Sequence, residues 1–217
     1  MLALIALIGV VVWTQPAVRG FVSEKASATR DWVSDRFEQT QLVSPSGEPS
    51  EELARQAERK LESLLGDQGG TTVRFSATEV QSYVAYRLAP QFPPGVTDPE
   101  VAINDSTLAV RVQVKLDELQ ETMNVDAIRQ LLGDSTSLEA EFEPDIASPG
   151  VGEVEVLSLR AGAFPIPPLA IPLLLREAGL NTRGGMSRAV TFPVEPTVTA
   201  IVVREGNLEV TTEPRGE

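Results

Sequence analysis

The chain has 217 residues, 42% of them hydrophobic and 23% charged, which is enough apolar material to bury a core and too much for a disordered chain. Its 18 Lys and Arg stand against 31 Asp and Glu, a formal net charge of −13, so a nucleic-acid backbone is repelled rather than bound. There is no cysteine and no histidine, which removes disulfides, thiolate nucleophiles, Cys/His zinc sites, His- or Cys-ligated haem and every Ser-His-Asp or Cys-His device.

Leu2 to Trp13 carries no charge. At the rise of a helix such a run covers about 18 Å, short of the roughly 30 Å hydrocarbon core. Continuing to Val18, just before Arg19, brings it near the lower spanning limit, with Trp13 placed as an interfacial aromatic. No basic lead and no Ala-x-Ala-type site precedes or follows the run, so an uncleaved membrane anchor over residues 1–18 fits better than a cleaved signal peptide. A buried core helix is the competing reading. With no nucleotide motif and no visible acid–base chemistry, the rest of the chain is expected outside the cytoplasm, in the periplasm or at the cell surface.

Residues 19–43 read as a helical stalk, with Val22, Ala26, Val33 and Phe37 continuing a stripe from Val18. Ser44 to Pro49 is rich in proline and glycine and forms the linker over residues 44–49. A single domain is expected over residues 50–217. Ser50 caps a helix with Glu51 and Glu52 in its first turn and an apolar stripe of Leu53, Ala57, Leu61, Leu64 and Leu65. Thr71–Phe75 reads as a strand. Ser76-Ala77-Thr78-Glu79 is a capping box opening a helix with Val80, Tyr83, Val84 and Leu88 on one face.

The clearest pattern in the chain follows. Val101 and Ile103 precede a turn at Asn104-Asp105-Ser106, and then Leu108, Val110, Val112 and Val114 alternate with Ala109, Arg111, Gln113 and Lys115. That period of two predicts a strand with one dry and one wet face. Residues 117–123 and 125–132 read as helical. A second alternating strand sets Leu138, Ala140 and Phe142 against Glu139, Glu141 and Glu143, and Pro149-Gly150 turns it back into Glu153–Ala161. Alternation slips between Val156 and Leu157, which predicts a bulge or bend. A last hairpin joins 198–204 to 208–212; its first strand is apolar on both faces and is expected to lie centrally or to face an apolar region.

Residues 161–175 are uncharged and contain four prolines, so they form neither a central strand nor one continuous helix. The expected shape is a strand ending near Phe164, a bend, and a short helix from about Leu169 to Ala178. It plugs the open end of the sheet, forms the mouth of an apolar groove, or dips into a nearby membrane. Arg183 and Arg188 flank the following glycine-rich loop, where they suit phosphate head groups or simple solvation.

No catalytic constellation emerges. The Glu139, Glu141, Glu143 row lies on a wet strand face, and P-loop, dinucleotide and EF-hand fingerprints are absent. The lysines Lys25, Lys60 and Lys115 have no evident nucleophile to activate. No metal or cofactor is expected.

The order of anchor, strand, Thr78-Glu79-Val80 helix start, alternating hairpin and Gly162-x-Phe164-Pro165-Ile166-Pro167 segment resembles the YpmS-like membrane-anchored envelope proteins of bacteria. It is more distantly similar to tubular lipid-binding domains of the BPI-like and LmeA-like kind. The resemblance covers roughly residues 70–212 and implies a curved sheet wrapped on a helix around a groove suited to acyl chains, with no catalytic residue.

These readings converge on an α+β protein: an N-terminal transmembrane and stalk helix, then a curved antiparallel sheet packed on helices. The expected function is non-enzymatic binding of a lipid or another apolar ligand at a membrane, with a structural or protein-interaction module of the bacterial cell envelope as the alternative. The expected groove residues are Val80, Val84, Leu88, Val110, Val112, Val114 and Phe142 from the sheet and its covering helix. Phe164, Ile166, Leu169 and Leu173 join them from the proline-rich segment, with Arg183 and Arg188 orienting a head group. The expected partners are the membrane, an apolar ligand and possible envelope proteins, and no nucleic acid.

Overall fold

A computed structural model describes residues 47–65, 70–92, 94–115, 118, 134–177 and 180–214. The expected anchor and stalk, the first half of the linker, and all but residue 118 of the helices expected at 117–123 and 125–132 lie outside the described residues. Within them the chain is mostly antiparallel sheet with a few helices, and no helix among them is long and apolar enough to cross a membrane.

Helix α1 (Glu51–Leu65) starts where expected: the Leu53 amide donates to the Ser50 hydroxyl at 3.3 Å, and Glu51 and Glu52 fill its first turn. Its dry stripe is Ala54, Ala57, Leu61 and Leu64, with Ala54 fully buried although the pattern favoured Leu53. Strand β1 (Thr72–Ser76) runs directly into α2 (Ala77–Tyr83) through the capping box. The Glu79 amide donates to the Ser76 hydroxyl at 3.3 Å, and the Ser76 amide to the Glu79 carboxylate at 2.8 Å. The α-helix does not continue to Leu88 as one element. Val84–Leu88 widens into a π-turn and Ala89–Gln91 tightens into a 3-10 turn at Pro90. The widening still keeps Val84 and Leu88 buried.

Two sheets result. The larger has the order β2 (Val96–Ile103), β3 (Leu108–Lys115), β4 (Ser135–Ser148), β5 (Val151–Ala161) and β6 (Phe164–Pro165). Strand β7 (Ala189–Pro193) pairs with the N-terminal half of β5, on the edge whose C-terminal end carries β6. The smaller sheet has the order β1, β9 (Asn207–Thr212), β8 (Val198–Arg204). The two meet along β4 and β8. The expectation of one curved sheet is therefore corrected: the long-range pairing of β1 with β9 makes a second layer. Nor is β8 central, because β9 takes that place.

Strand β3 shows the predicted alternation from Val110 onward, with Leu108, Val110, Val112 and Val114 buried and Lys115 exposed, but Ala109, expected on the wet face, is buried as well. The slip seen after Val156 is a bulge. Phe142 pairs with Val156 while Glu141 pairs with Ser158, so Leu157 is the extra residue. It lets Val154, Val156, Leu159 and Ala161 all face inward. A second bulge, between Val198 and Ala200 of β8, changes that strand's parity in the same way.

Two-residue turns fix the hairpin registers. Pro149-Gly150 joins β4 to β5 with Gly150 at φ +81°, the glycine position of a type II turn. Glu205-Gly206 joins β8 to β9 with both residues at positive φ, 52° and 71°, the signature of a type I′ turn.

Helix α3 (Ile171–Glu177) follows the proline-rich segment and is anchored by Ile171 and Leu175, both essentially sealed from solvent. The bend before it is held to the sheet at two points: the Gly162 amide donates to the Ser137 carbonyl at 2.7 Å, and the Ile166 amide to the Leu159 carbonyl at 2.8 Å. The segment flanks the β5 edge and sends α3 into the core.

Candidate functional site

Two apolar clusters form. One lies between α2 with its π-turn and the larger sheet, around Val84, Leu88, Val110, Val112, Val114, Phe142, Ile171 and Leu175. The other lies between α1 and the smaller sheet, around Ala57, Leu64, Phe75, Val198 and Val210. Among the described residues only Val80, Tyr83 and Leu208 touch both. The clusters do not close fully against each other. An apolar cavity of about 320 Å3 remains at their junction and is partly open to solvent.

Every layer contributes a wall. Helix α1 supplies Ala57 and Leu61, and α2 with its π-turn supplies Val80, Tyr83, Val84 and Leu88. The larger sheet gives Leu108, Phe142, Pro144 and Val154. The smaller sheet gives Phe75, Val198, Ile201, Leu208 and Val210, and the end of β7 with its exit gives Phe192, Pro193, Val194 and Glu195. The β8 bulge is what puts Val198 and Ile201 on the same side. The two-faced apolar character of β8 thus finds its reason at the cavity rather than at the centre of a sheet.

Gly152 shapes one wall. It stands opposite Phe192 in the β5–β7 pairing, and a Cβ there would come within 2.5 Å of the Phe192 ring and 2.9 Å of Val194. The missing side chain lets Phe192 lie across β5 and reach the cavity.

The roof is pinned by a buried ion pair between its two helices. Lys60 Nζ on α1 lies 2.6 Å from Glu79 Oε1 on α2 and donates to the Arg74 carbonyl at 2.8 Å. Glu79 is only 5% exposed. Burial pushes its pKa up, but the Lys60 hydrogen bond, the Ser76 amide, the Lys60 charge and the Ser76 hydroxyl together pull it down further, so the net shift is downward. Ser82 adds a second tie, accepting from the Ser50 amide at 3.1 Å and donating to the Thr78 carbonyl at 2.6 Å. Gln81 binds the β2 bulge, donating to the Pro99 carbonyl at 2.7 Å and accepting from the Val101 amide.

The expected groove residues divide sharply. Val80, Val84, Leu88 and Phe142 line the cavity. Val110, Val112 and Val114 do not: they are fully buried among core side chains on the dry face of β3. Ile166 is half-buried against the same core, and Leu173 is half-buried on α3. Phe164 and Leu169 point outward, 49% and 78% exposed. Arg183 and Arg188 are engaged elsewhere, at 3.3 Å from Glu153 and 2.8 Å from Glu155 on the outer face of β5. The acidic row of β4 is likewise latched across strands. Arg111 reaches Glu139 at 3.0 Å and Glu100 at 3.1 Å, and the Thr107 hydroxyl donates to Glu141 at 2.7 Å.

Chemically the cavity offers van der Waals surface and little else. The polar residues in its lining are Tyr83 and Glu195. Burial and the Glu58 charge raise the Tyr83 pKa against the opposing pull of Arg87, so the phenol stays a neutral donor. Among the described residues no acidic group is arranged to hold a metal ion. No family model, no curated protein and no solved structure matches the chain, so the geometry of this site carries the functional reading alone.

Proposed function

We propose that this chain is a non-enzymatic binding module for a lipid or another apolar molecule, tethered at a bacterial membrane by its N-terminal segment with residues 50–217 outside the cytoplasm. The observation that carries the reading is the apolar cavity of about 320 Å3 between the two clusters. A guest supplies apolar contacts there, and its affinity comes from apolar burial at roughly 25 cal/mol per Å2.

A structural or protein-interaction role is the second reading. The exposed Phe164, Leu169 and Met186 favour it, whereas it calls for a filled interior, against which the cavity weighs. Native mass spectrometry of the full chain, purified from membranes under mild conditions, separates the two. The binding reading expects a bound apolar mass that is reduced in Ile201→Trp, which narrows the cavity. A clean apo mass for the unsubstituted chain overturns it.

A further inference from the structure

We infer that α1 is the movable wall of the cavity: two ion pairs latch it to α2 and the π-turn, and it swings off them to make room for a guest. This rests on the binding reading above and adds how the site admits its guest. The cavity is already partly open to solvent, so the latch sets how wide it opens and not whether it is reached.

The walls are held by unequal means. Strands β4, β5, β7, β8 and β9 stand in backbone-paired ladders. Helix α2 grows directly from β1 through the capping box and grips the β2 bulge through Gln81. Helix α1 has no such hold. Among the described residues its backbone pairs with no other element, and side chains make its ties. These are Lys60 to Glu79 and to the Arg74 carbonyl, Glu58 to Arg87, and the Ser82 hydroxyl to the Ser50 amide at the start of the helix. The buried stripe adds little, because two of its three sealed side chains, Ala54 and Ala57, are alanines and only Leu64 is large. A segment with little apolar burial and no ladder is the kind that opens locally ahead of the rest.

The latches also sit at the cavity. Lys60 falls between the lining residues Ala57 and Leu61, and its partner Glu79 adjoins the lining Val80. Glu58 adjoins Ala57, and its partner Arg87, 3.1 Å away, adjoins Leu88. The π-turn that presents Arg87 also gives the cavity Val84 and Leu88. Releasing both pairs frees the α1 wall without breaking any strand pairing. The Glu58–Arg87 pair is partly exposed, so dissolved salt weakens it.

The chain has no cysteine, so introduced cysteines are its only thiol-labelling sites. Spin labels at Glu62→Cys on α1 and Glu143→Cys on β4, both exposed positions, report the distance from α1 to the larger sheet by pulsed electron resonance. Labels at Thr72→Cys on β1 and Glu143→Cys report the distance between the two sheets. Saturating the full chain with N-phenyl-1-naphthylamine, an uncharged apolar dye whose emission reports its own binding, is expected to lengthen the first distance and leave the second unchanged. Stopped-flow exchange of the dye is expected to quicken with added sodium chloride. In Arg87→Met it should be at least about tenfold faster at low salt and nearly indifferent to salt. A first distance that stays put, a second that moves with it, or exchange insensitive to both salt and Arg87→Met overturns the inference and leaves the binding reading standing. Absence of dye binding removes the binding reading along with it.

Discussion

Replacing Lys60 with methionine keeps the aliphatic stem and deletes the ammonium that ties α1 to α2. The consequence depends on what Glu79 retains. Its side chain is 7% exposed, so the carboxylate left behind is close to fully desolvated. Removing one partner of a buried pair typically costs about 3–5 kcal/mol. Two features reduce that here: Lys60 is itself 30% exposed, and Glu79 keeps the Ser76 amide at 2.8 Å. We expect a loss of about 2 kcal/mol at about pH 7, or roughly 4–8 °C in Tm for a domain of this size.

The pH dependence supplies the sharper check. The folded pKa of Glu79 lies below its unfolded value, so its stabilisation is present above the unfolded value and is lost as pH falls through the folded one. Without Lys60, burial is opposed by Ser76 alone and the folded pKa rises. The variant then protonates first, and its deficit relative to the unsubstituted chain shrinks as pH falls below about 4. Urea unfolding followed by circular dichroism at about pH 7 and about pH 3.5 measures both quantities. A cost below about 0.5 kcal/mol at the higher pH, or an equal cost at both, would refute the argument.

Other substitutions test other parts of the account. Gly152→Val drives a side chain into the Phe192 ring, which lies 2.5 Å from the nearest Cβ position. It should destabilise by about 1–3 kcal/mol and weaken binding of an apolar ligand; unchanged binding in a folded variant would detach Phe192 from the site. Glu205→Asn should raise stability by about 0.5 kcal/mol, since asparagine suits the first position of a type I′ turn where Glu205 sits at φ 52°. Thermal unfolding reads this, and a lowered Tm would contradict the turn assignment. Phe142→Ala, at a side chain 1% exposed on the border of core and cavity, should cost about 3–5 kcal/mol. A loss under about 1 kcal/mol in urea unfolding would mean that Phe142 is far less tightly packed than its burial implies.

Local features were readable in the sequence because they are written in neighbouring residues. The Ser76–Glu79 capping box, the β3 alternation and the slip at Leu157 each depend on spacings of a few positions. The pairing of β1 with β9 joins residues well over a hundred positions apart, such as Thr72 with Thr211, and leaves no local mark. Periodicity showed that Val110, Val112 and Val114 have a dry face but not whether that face meets a guest or α2; core side chains take it. The arginines of the glycine-rich loop looked available because their carboxylate partners sit about 30 positions earlier, on β5.

Most of the site therefore came from residues that the sequence did not single out for a groove. Leu61 read as part of a helix stripe, Phe75 and Leu208 as strand residues, and Phe192 and Val194 gave no sign of their role. Two hints existed. The two-faced apolar run of β8 contains Val198 and Ile201, and Gly152 interrupts an otherwise side-chain-bearing strand opposite Phe192. Both acquire meaning only when the two sheets are brought together.

The account turns on where a guest lies. Methyl-labelled full chain, saturated with an alkyl glycoside of about ten carbons, can be examined for intermolecular nuclear Overhauser effects. The account predicts contacts from the alkyl chain to the methyl groups of Val84, Ile201 and Leu208, which line the cavity from three separate elements. Contacts confined to the exposed Leu169 and Met186, or none at any methyl group, would contradict it.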